Sequence, residues 1–149
     1  MNDSTLAAAP AEPASVFPTG RFTFQEFLGL ERWAEGEVAR IRLRHRPELM
    51  NYLEHFHGGV LMSVLDAAMA GAIRICSPGC SMVTIDMATH FMGSTRGELN
   101  AVGRVLRRTR TLCFCAAEIR DEAGELVATA TGSFKYRPAQ AGAVQPTRE

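Results

Sequence analysis

The chain has 149 residues, 46% of them hydrophobic, and its 16 basic residues balance its 16 acidic ones. That length suffices for one domain with a sizeable core. A net charge of zero provides no global field for nucleic acid, so no nucleic-acid partner is expected. The segment Met1–Pro10 has neither a basic stretch nor a sustained apolar one, so no secretory leader is expected. A soluble, cytoplasmic protein without a membrane partner is the expectation.

Residues 1–20 are rich in Ala, Pro, Ser and Thr and include Pro10, Pro13 and Pro18, so a disordered or loosely docked tail is expected there. One domain is expected over residues 21–138, with a flexible tail over 139–149. Between Phe22 and Leu30 the apolar residues Phe24, Phe27, Leu28 and Leu30 have helical spacing. A short amphipathic helix ending near Gly29 is predicted. Trp33 then falls in a strand. From Glu37 to Arg44, Val38, Arg40, Arg42 and Arg44 alternate with Glu37, Ala39, Ile41 and Leu43. That period predicts a half-exposed strand whose charged face is solvated.

Pro47 disfavours helix before it, so Arg46–Met50 reads as a loop. His55 and His57 stand two residues apart beside Glu54, a spacing at which imidazoles can chelate. No second cluster with ligand spacing follows, so no metal is expected. His55 is expected to be an exposed loop residue.

From Val60 to Ile73 the chain is nearly all apolar, broken by Ser63 and Asp66. Apolar residues fall on every face of a 3.6-residue period, which predicts a helix buried on all sides. The run is shorter than the ~20 apolar residues of a membrane span, and it carries Asp66. An ionised carboxylate is costly to bury unless it is paired or hydrogen-bonded. Asp66 is therefore either a core polar residue capped by Ser63 or a backbone group, or a carboxylate placed for chemistry.

The residues before the helix favour chemistry. Gly58 and Gly59 open it without side chains, which leaves unpaired N–H groups and the positive end of the dipole accessible. Such an end suits an anion, or an oxygen about to become one. Eight residues separate Gly58 from Asp66, roughly 12 Å along a helix axis. A reacting carbon must lie within about 3 Å of each partner. If both act on one substrate, they are expected to come from different subunits. A two-fold dimer with antiparallel helices would bring each Asp66 near the other chain's Gly58.

Ser77-Pro78-Gly79 is a turn. Met82–Met92 is a long strand with Val83, Ile85, Met87 and Phe91 on one face and Thr84, Asp86, Ala88 and His90 on the other. Three further strands are predicted over Glu98–Leu106, Thr111–Arg120 and Glu125–Tyr136, with Asp121–Gly124 forming the last hairpin. Strands without intervening helices predict an antiparallel sheet, against which the apolar helix must pack. Cys76, Cys80, Cys113 and Cys115 match no common zinc or redox spacing, and read as ordinary thiols in or near the core.

Arg104, Arg107, Arg108 and Arg110 cluster at a strand end and turn. They are either a solvated hairpin that discourages edge pairing or a patch for phosphates, which guanidinium forks match. Lys135 and Arg137 could join them. Met50, Phe56, Met62, Met69 and Phe91 could line an apolar pocket, and core packing explains them equally well.

The pattern Asn51-x5-His57-Gly58-Gly59-x6-Asp66, followed by four strand-like segments, resembles the hotdog-fold acyl-CoA thioesterases. It is most similar to the phenylacetic-acid-pathway and hydroxybenzoyl-CoA thioesterase branch, over Phe22–Arg137. The resemblance implies an α+β hotdog fold, an antiparallel sheet wrapped around one long central helix. It implies hydrolysis of an acyl-CoA substrate, without a cofactor, by a homodimer or a dimer of dimers. Asp66 would be nucleophile or general base, and Gly58 would donate its N–H to the thioester carbonyl. Asn51 would position substrate or water, His57 would brace the loop, and Thr84 would help orient the attacking water. Gly59 and Met62 would contact substrate, and Arg107, Arg108 and Arg110 would meet the coenzyme A phosphates.

The chain also departs from that pattern. Many relatives carry Gly at the position of Glu54, Arg-Pro at Met92-Gly93, and Gly in the turn written here as Arg108-Thr109. These changes bear on acyl preference and coenzyme contacts more than on the chemistry. A non-catalytic acyl-CoA-binding module is the rival reading, though a binding site has no need of a buried base. A hotdog dehydratase would need a different His/Asp arrangement.

Overall fold

A computed structural model describes residues 23–139. The expected tails, 1–20 and all of 139–149 beyond Ala139, lie outside the described residues. Helix α1 (Phe24–Leu28) is followed by strands β1 (Glu31–Glu35) and β2 (Val38–Leu43), the long helix α2 (Gly58–Cys76), and strands β3 (Ser81–Phe91), β4 (Leu99–Arg108), β5 (Leu112–Arg120) and β6 (Leu126–Arg137). The predicted loop over Arg46–Met50 holds a single 3₁₀ turn, Pro47–Leu49.

The strands form one sheet in the order β1-β2-β4-β5-β6-β3, every neighbouring pair antiparallel. Helix α2 lies across its concave side and packs on β2, β3, β4, β5 and β6. This is the hotdog arrangement. At 19 residues, α2 is by length and composition long and apolar enough to cross a bilayer, contrary to the sequence expectation. Its packing against five strands, rather than its length, makes it the core helix.

Helix α1 ends at Gly29, as its sequence predicts. Gly29 adopts φ 74°, and the N–H groups of Gly29 and Leu30 turn back to the carbonyls of Glu26 and Gln25. That left-handed cap stops the helix before Leu30 can join it. In β2 the alternation holds, with Ala39, Ile41 and Leu43 buried. Its charged face is not simply solvated, however. Arg42 is only 15% exposed, pairs with Glu31 at 3.5 Å and Glu98 at 3.3 Å, and lies over the Trp33 ring. The side chains of Glu31, Trp33 and Glu98 enclose Arg42, so its charge must be paired.

The closest approach of helix and sheet is at Gly103 on β4. A Cβ there would lie 2.1 Å from the Ala68 carbonyl oxygen of α2. Leu65, Ala68, Met69 and Ile73 of α2 meet Leu99, Ala101, Cys113, Cys115, Ile119 and Phe134 of the sheet in the core. Phe56 and Met69 are part of this core rather than pocket lining. Cys113 and Cys115 are buried on one face of β5, their Sγ atoms 3.9 Å apart, while Cys76 and Cys80 are half-buried. Burial pushes all four thiols up from their ordinary range, which fits their reading as inert core groups.

Strand β3 does not keep the regular alternation read from its sequence. Its register against β6 shifts between Thr84 and Asp86, leaving Ile85 as the extra residue of a bulge. Met82 and Thr84 face α2 before the bulge, and Met87 faces it afterwards. Met87 therefore leaves the face of Val83 and Ile85, which are exposed. A bulge inserts one residue and flips the parity of everything after it.

Candidate active site

The start of α2 is capped by its own loop. His57 Nδ1 accepts the Gly59 N–H at 2.9 Å, and the His57 carbonyl accepts the N–H groups of Val60 and Leu61. Of the helix's first four amides, only Gly58 N–H donates to no group among the described residues. The cap thus leaves one outward donor at the positive end of a 19-residue helix. Gly59, expected to touch substrate, has its N–H engaged by His57.

Asn51 holds the loop in shape. Its Oδ1 accepts from Leu53 N at 2.9 Å and His55 N at 3.2 Å, and its backbone exchanges hydrogen bonds with His55 and Glu54. Its side-chain carbonyl is therefore taken up in an Asx turn. Glu54 sits at φ 60°, the one non-glycine residue with positive φ among those described. This is the position where the resembled family carries Gly. His55 is half-buried rather than exposed, and its N–H is part of the same turn.

Asp66 is only partly buried, because α2 is not covered on all sides as its composition suggests. Gly59, Met62, Ser63 and Asp66 form a stripe at helical spacing, and none of them is fully buried. Ser63 does not cap Asp66, since its hydroxyl donates to the Gly59 carbonyl at 2.7 Å. Instead Thr84 Oγ1 donates to Asp66 Oδ1 at 2.8 Å. Oδ2 receives no hydrogen bond among the described residues. Asp66 borders a hollow of about 250 Å³ lined also by Phe24, Gln25, Leu28, Met62, Ser63 and Met87. One oxygen is held and the other is left to a ligand, the state a general base or nucleophile requires.

Strand β3 connects the two groups. Near its start Thr84 meets Asp66, and at its end the Phe91 ring lies against Gly58, where an added Cβ would be 3.5 Å away. Within one chain Asp66 gathers Thr84 and Met62, whereas Gly58 gathers His57 and the Asn51 loop. The two sets stand roughly 12 Å apart along the helix.

The arginine cluster lies at the other end of α2. Arg108 donates to the Cys76 carbonyl at 2.9 Å, and with Arg104 it borders a hollow of about 360 Å³. Tyr136 donates its hydroxyl to the Thr109 carbonyl and its N–H to the Thr111 carbonyl, tying Lys135 and Arg137 to the turn of Arg110. Among the described residues, Arg104, Arg107, Arg108, Arg110, Lys135 and Arg137 form no ion pair, whereas Arg32, Arg40, Arg42, Arg44, Arg96 and Arg120 each pair with a glutamate.

Sequence reasoning missed Phe24, Gln25, Leu28 and Met87 as walls of the Asp66 hollow. Three of them come from α1, and no local signal tells where that helix docks. Met87 was placed on the wrong face by the hidden bulge.

Comparison with known proteins agrees with this fold. Residues 53–128 match the family model of the thioesterase superfamily. A protein of Saccharolobus solfataricus, named as an esterase by inference, is 30% identical over 97 residues, 64% of this chain and 69% of that protein. The structure of a conserved protein of Pseudomonas aeruginosa superposes with a TM-score of 0.69 at 28% identity, covering 76% of this chain and 92% of that one. The PaaI protein of the E. coli phenylacetic acid degradation operon superposes with a TM-score of 0.69 at 20% identity, covering 74% of this chain and 81% of that one, a likeness of fold.

Proposed function

Because the chain belongs to the thioesterase superfamily, we propose that it hydrolyses an acyl-CoA thioester at a site shared by two subunits. The observation that carries this reading is the pair of groups left unsatisfied by the fold, Asp66 Oδ2 and the Gly58 N–H. The thioester carbonyl oxygen accepts the Gly58 N–H of one chain, which stabilises the charge that develops there by about 2.7–4 kcal/mol. Asp66 of the other chain supplies the base or nucleophile. In one route it takes a proton from water as the water oxygen bonds to the carbonyl carbon. In the other it bonds to that carbon itself, and water opens the resulting anhydride. In both, the C–S bond breaks and the coenzyme A thiolate leaves to be protonated. Thr84 fixes the carboxylate throughout.

The shared site is supported by the free edge of β3. The strand is eleven residues long, lies at one edge of the sheet, and exposes Val83 (63%) and Ile85 (57%). A long apolar edge is a template for pairing. Because β3 runs from Asp66 at Thr84 to Gly58 at Phe91, a second copy paired antiparallel about a two-fold axis places its Thr84 end beside this chain's Phe91 end. Asp66 of each chain then faces Gly58 of the other. Met62, Met87, Phe24 and Leu28 give the acyl group an apolar wall. The unpaired basic rim at Arg107, Arg108 and Arg110 suits the coenzyme phosphates.

The test is thiol release from a panel of acyl-CoAs by the wild-type protein and Asp66→Asn. Release by the wild type, lost in the variant with its fold unchanged, is expected. Tight binding without release by the wild type would instead favour the non-catalytic acyl-CoA module.

A further inference from the structure

Helix α2 carries one more charged group, Arg74 in its last turn. A cation at that end complements the helix dipole, which would account for an exposed arginine. Arg74 is not exposed. It is half-buried beneath α1, in a second hollow of about 280 Å³ lined by Thr23, Phe24, Gln25, Glu26, Arg32 and Arg74. This hollow adjoins the Asp66 hollow at Phe24 and Gln25, which line both.

Among the described residues that line this hollow, Glu26 is the one carboxylate beside Arg32 and Arg74. Glu26, the carboxylate of the hollow, pairs with Arg32 at 3.3 Å, and Gln25 Oε1 accepts from Arg32 at 2.6 Å. Among the described residues no hydrogen bond or ion pair engages the Arg74 guanidinium. Burial holds its proton affinity below the ordinary arginine range, the Arg32 charge acts the same way, and Cys80 and Asp66 oppose them. A partly buried guanidinium that no carboxylate contacts among the described residues can take an anion.

We propose that Arg74 binds the terminal carboxylate of an acyl group, so that the preferred substrate is the thioester of a medium-length dicarboxylic acid. This rests on the thioesterase reading above and names its substrate class. Asp66 and Arg74 are eight residues apart, roughly 12 Å along the axis, and the arginine side chain, much longer than the aspartate and likewise tilted toward the N-terminus, reaches back across part of that gap. The acyl chain leaves the carbonyl beside Asp66, crosses the wall of Leu28 and Met87, passes Phe24 and Gln25, which line both hollows, and ends at the guanidinium. The coenzyme phosphates have their own unpaired cations at Arg107, Arg108 and Arg110, so Arg74 remains for the acyl end.

The experiment is a binding titration of the Asp66→Asn protein with two matched ligands, adipoyl-CoA and hexanoyl-CoA, before and after adding Arg74→Met. Binding is read whether or not the wild type shows turnover, so failure of the subsite and failure of the thioesterase reading give different results. The expected result is about tenfold tighter binding of adipoyl-CoA, abolished by Arg74→Met, with hexanoyl-CoA affinity unchanged within about threefold. Equal affinity for the two ligands with Arg74 present would overturn the proposal. So would an equal loss for both on Arg74→Met, which would assign Arg74 to the coenzyme phosphates or to the fold.

Discussion

Thr84 Oγ1 donates to Asp66 Oδ1 across 2.8 Å, at the residue immediately before a bulge that redirects the rest of β3. The hydroxyl has a strand's rigidity behind it, and it fixes which carboxylate oxygen is spent and which is left open. Thr84→Val keeps the β-branched shape and removes the donor. A hydrogen bond to a charged group is worth about 1.5–3 kcal/mol, so kcat is expected to fall about ten- to a hundredfold with KM little changed. Steady-state kinetics on one acyl-CoA substrate reads this directly. An unchanged kcat would mean that Thr84 is a β former and nothing more.

Gly58 permits an unusually clean deletion of a backbone donor. It is the first residue of α2, the place where proline is tolerated in a helix. His57 before it has φ −61° and ψ 138°, the conformation a following proline requires. Gly58→Pro is therefore expected to leave the melting temperature nearly unchanged while lowering kcat about 10²–10³-fold. If kcat survives in a folded Gly58→Pro protein, the carbonyl is held elsewhere.

Gly103 sets how closely helix and sheet approach. With a Cβ 2.1 Å from the Ala68 carbonyl oxygen, both backbone strands of the contact would have to move. Gly103→Ala is expected to cost about 3 kcal/mol or more, in urea denaturation. A loss below about 1 kcal/mol would show that α2 can lift from β4 without disturbing the core.

Glu54 holds a left-handed backbone at φ 60° where the resembled family has glycine. Left-handed geometry costs an L-residue about 1–2 kcal/mol, and glycine's extra unfolded freedom offsets about 0.5–1 of that. Its pair with Arg96, at 3.8 Å between exposed side chains, contributes little. Glu54→Gly is therefore expected to raise stability by up to about 1 kcal/mol. Thermal unfolding that moves downward would reveal a role for the carboxylate in the loop.

Much of this was legible in the sequence because it depends on periodicity. The alternation of Ala39, Ile41 and Leu43 fixes the core face of β2, and the apolar run after Gly59 fixes α2. The spacing of Asn51, His57, Gly58 and Asp66 already points to the candidate site. What stayed hidden depends on contacts distant in sequence. Nothing in Met82–Met92 announces the bulge at Ile85, so parity placed Met87 on the wrong face. The burial of α2 was overread, since composition cannot show that the sheet covers only one side of it. The docking of α1, which walls the Asp66 hollow and half-buries Arg74, likewise has no local signature. Arg74 did carry a faint one, as the lone cation of an otherwise apolar helix.

The most direct test of the shared site is subunit complementation. Chains carrying Asp66→Asn and chains carrying Gly58→Pro are each prepared, mixed in equal amounts under conditions that allow subunits to exchange, and assayed for thiol release. If each site takes its carboxylate from one chain and its N–H donor from the other, a mixed dimer regains one intact site, and statistical mixing restores about a quarter of wild-type activity. If both groups of a site come from one chain, no mixture holds an intact site, and activity stays at the level of the separate variants.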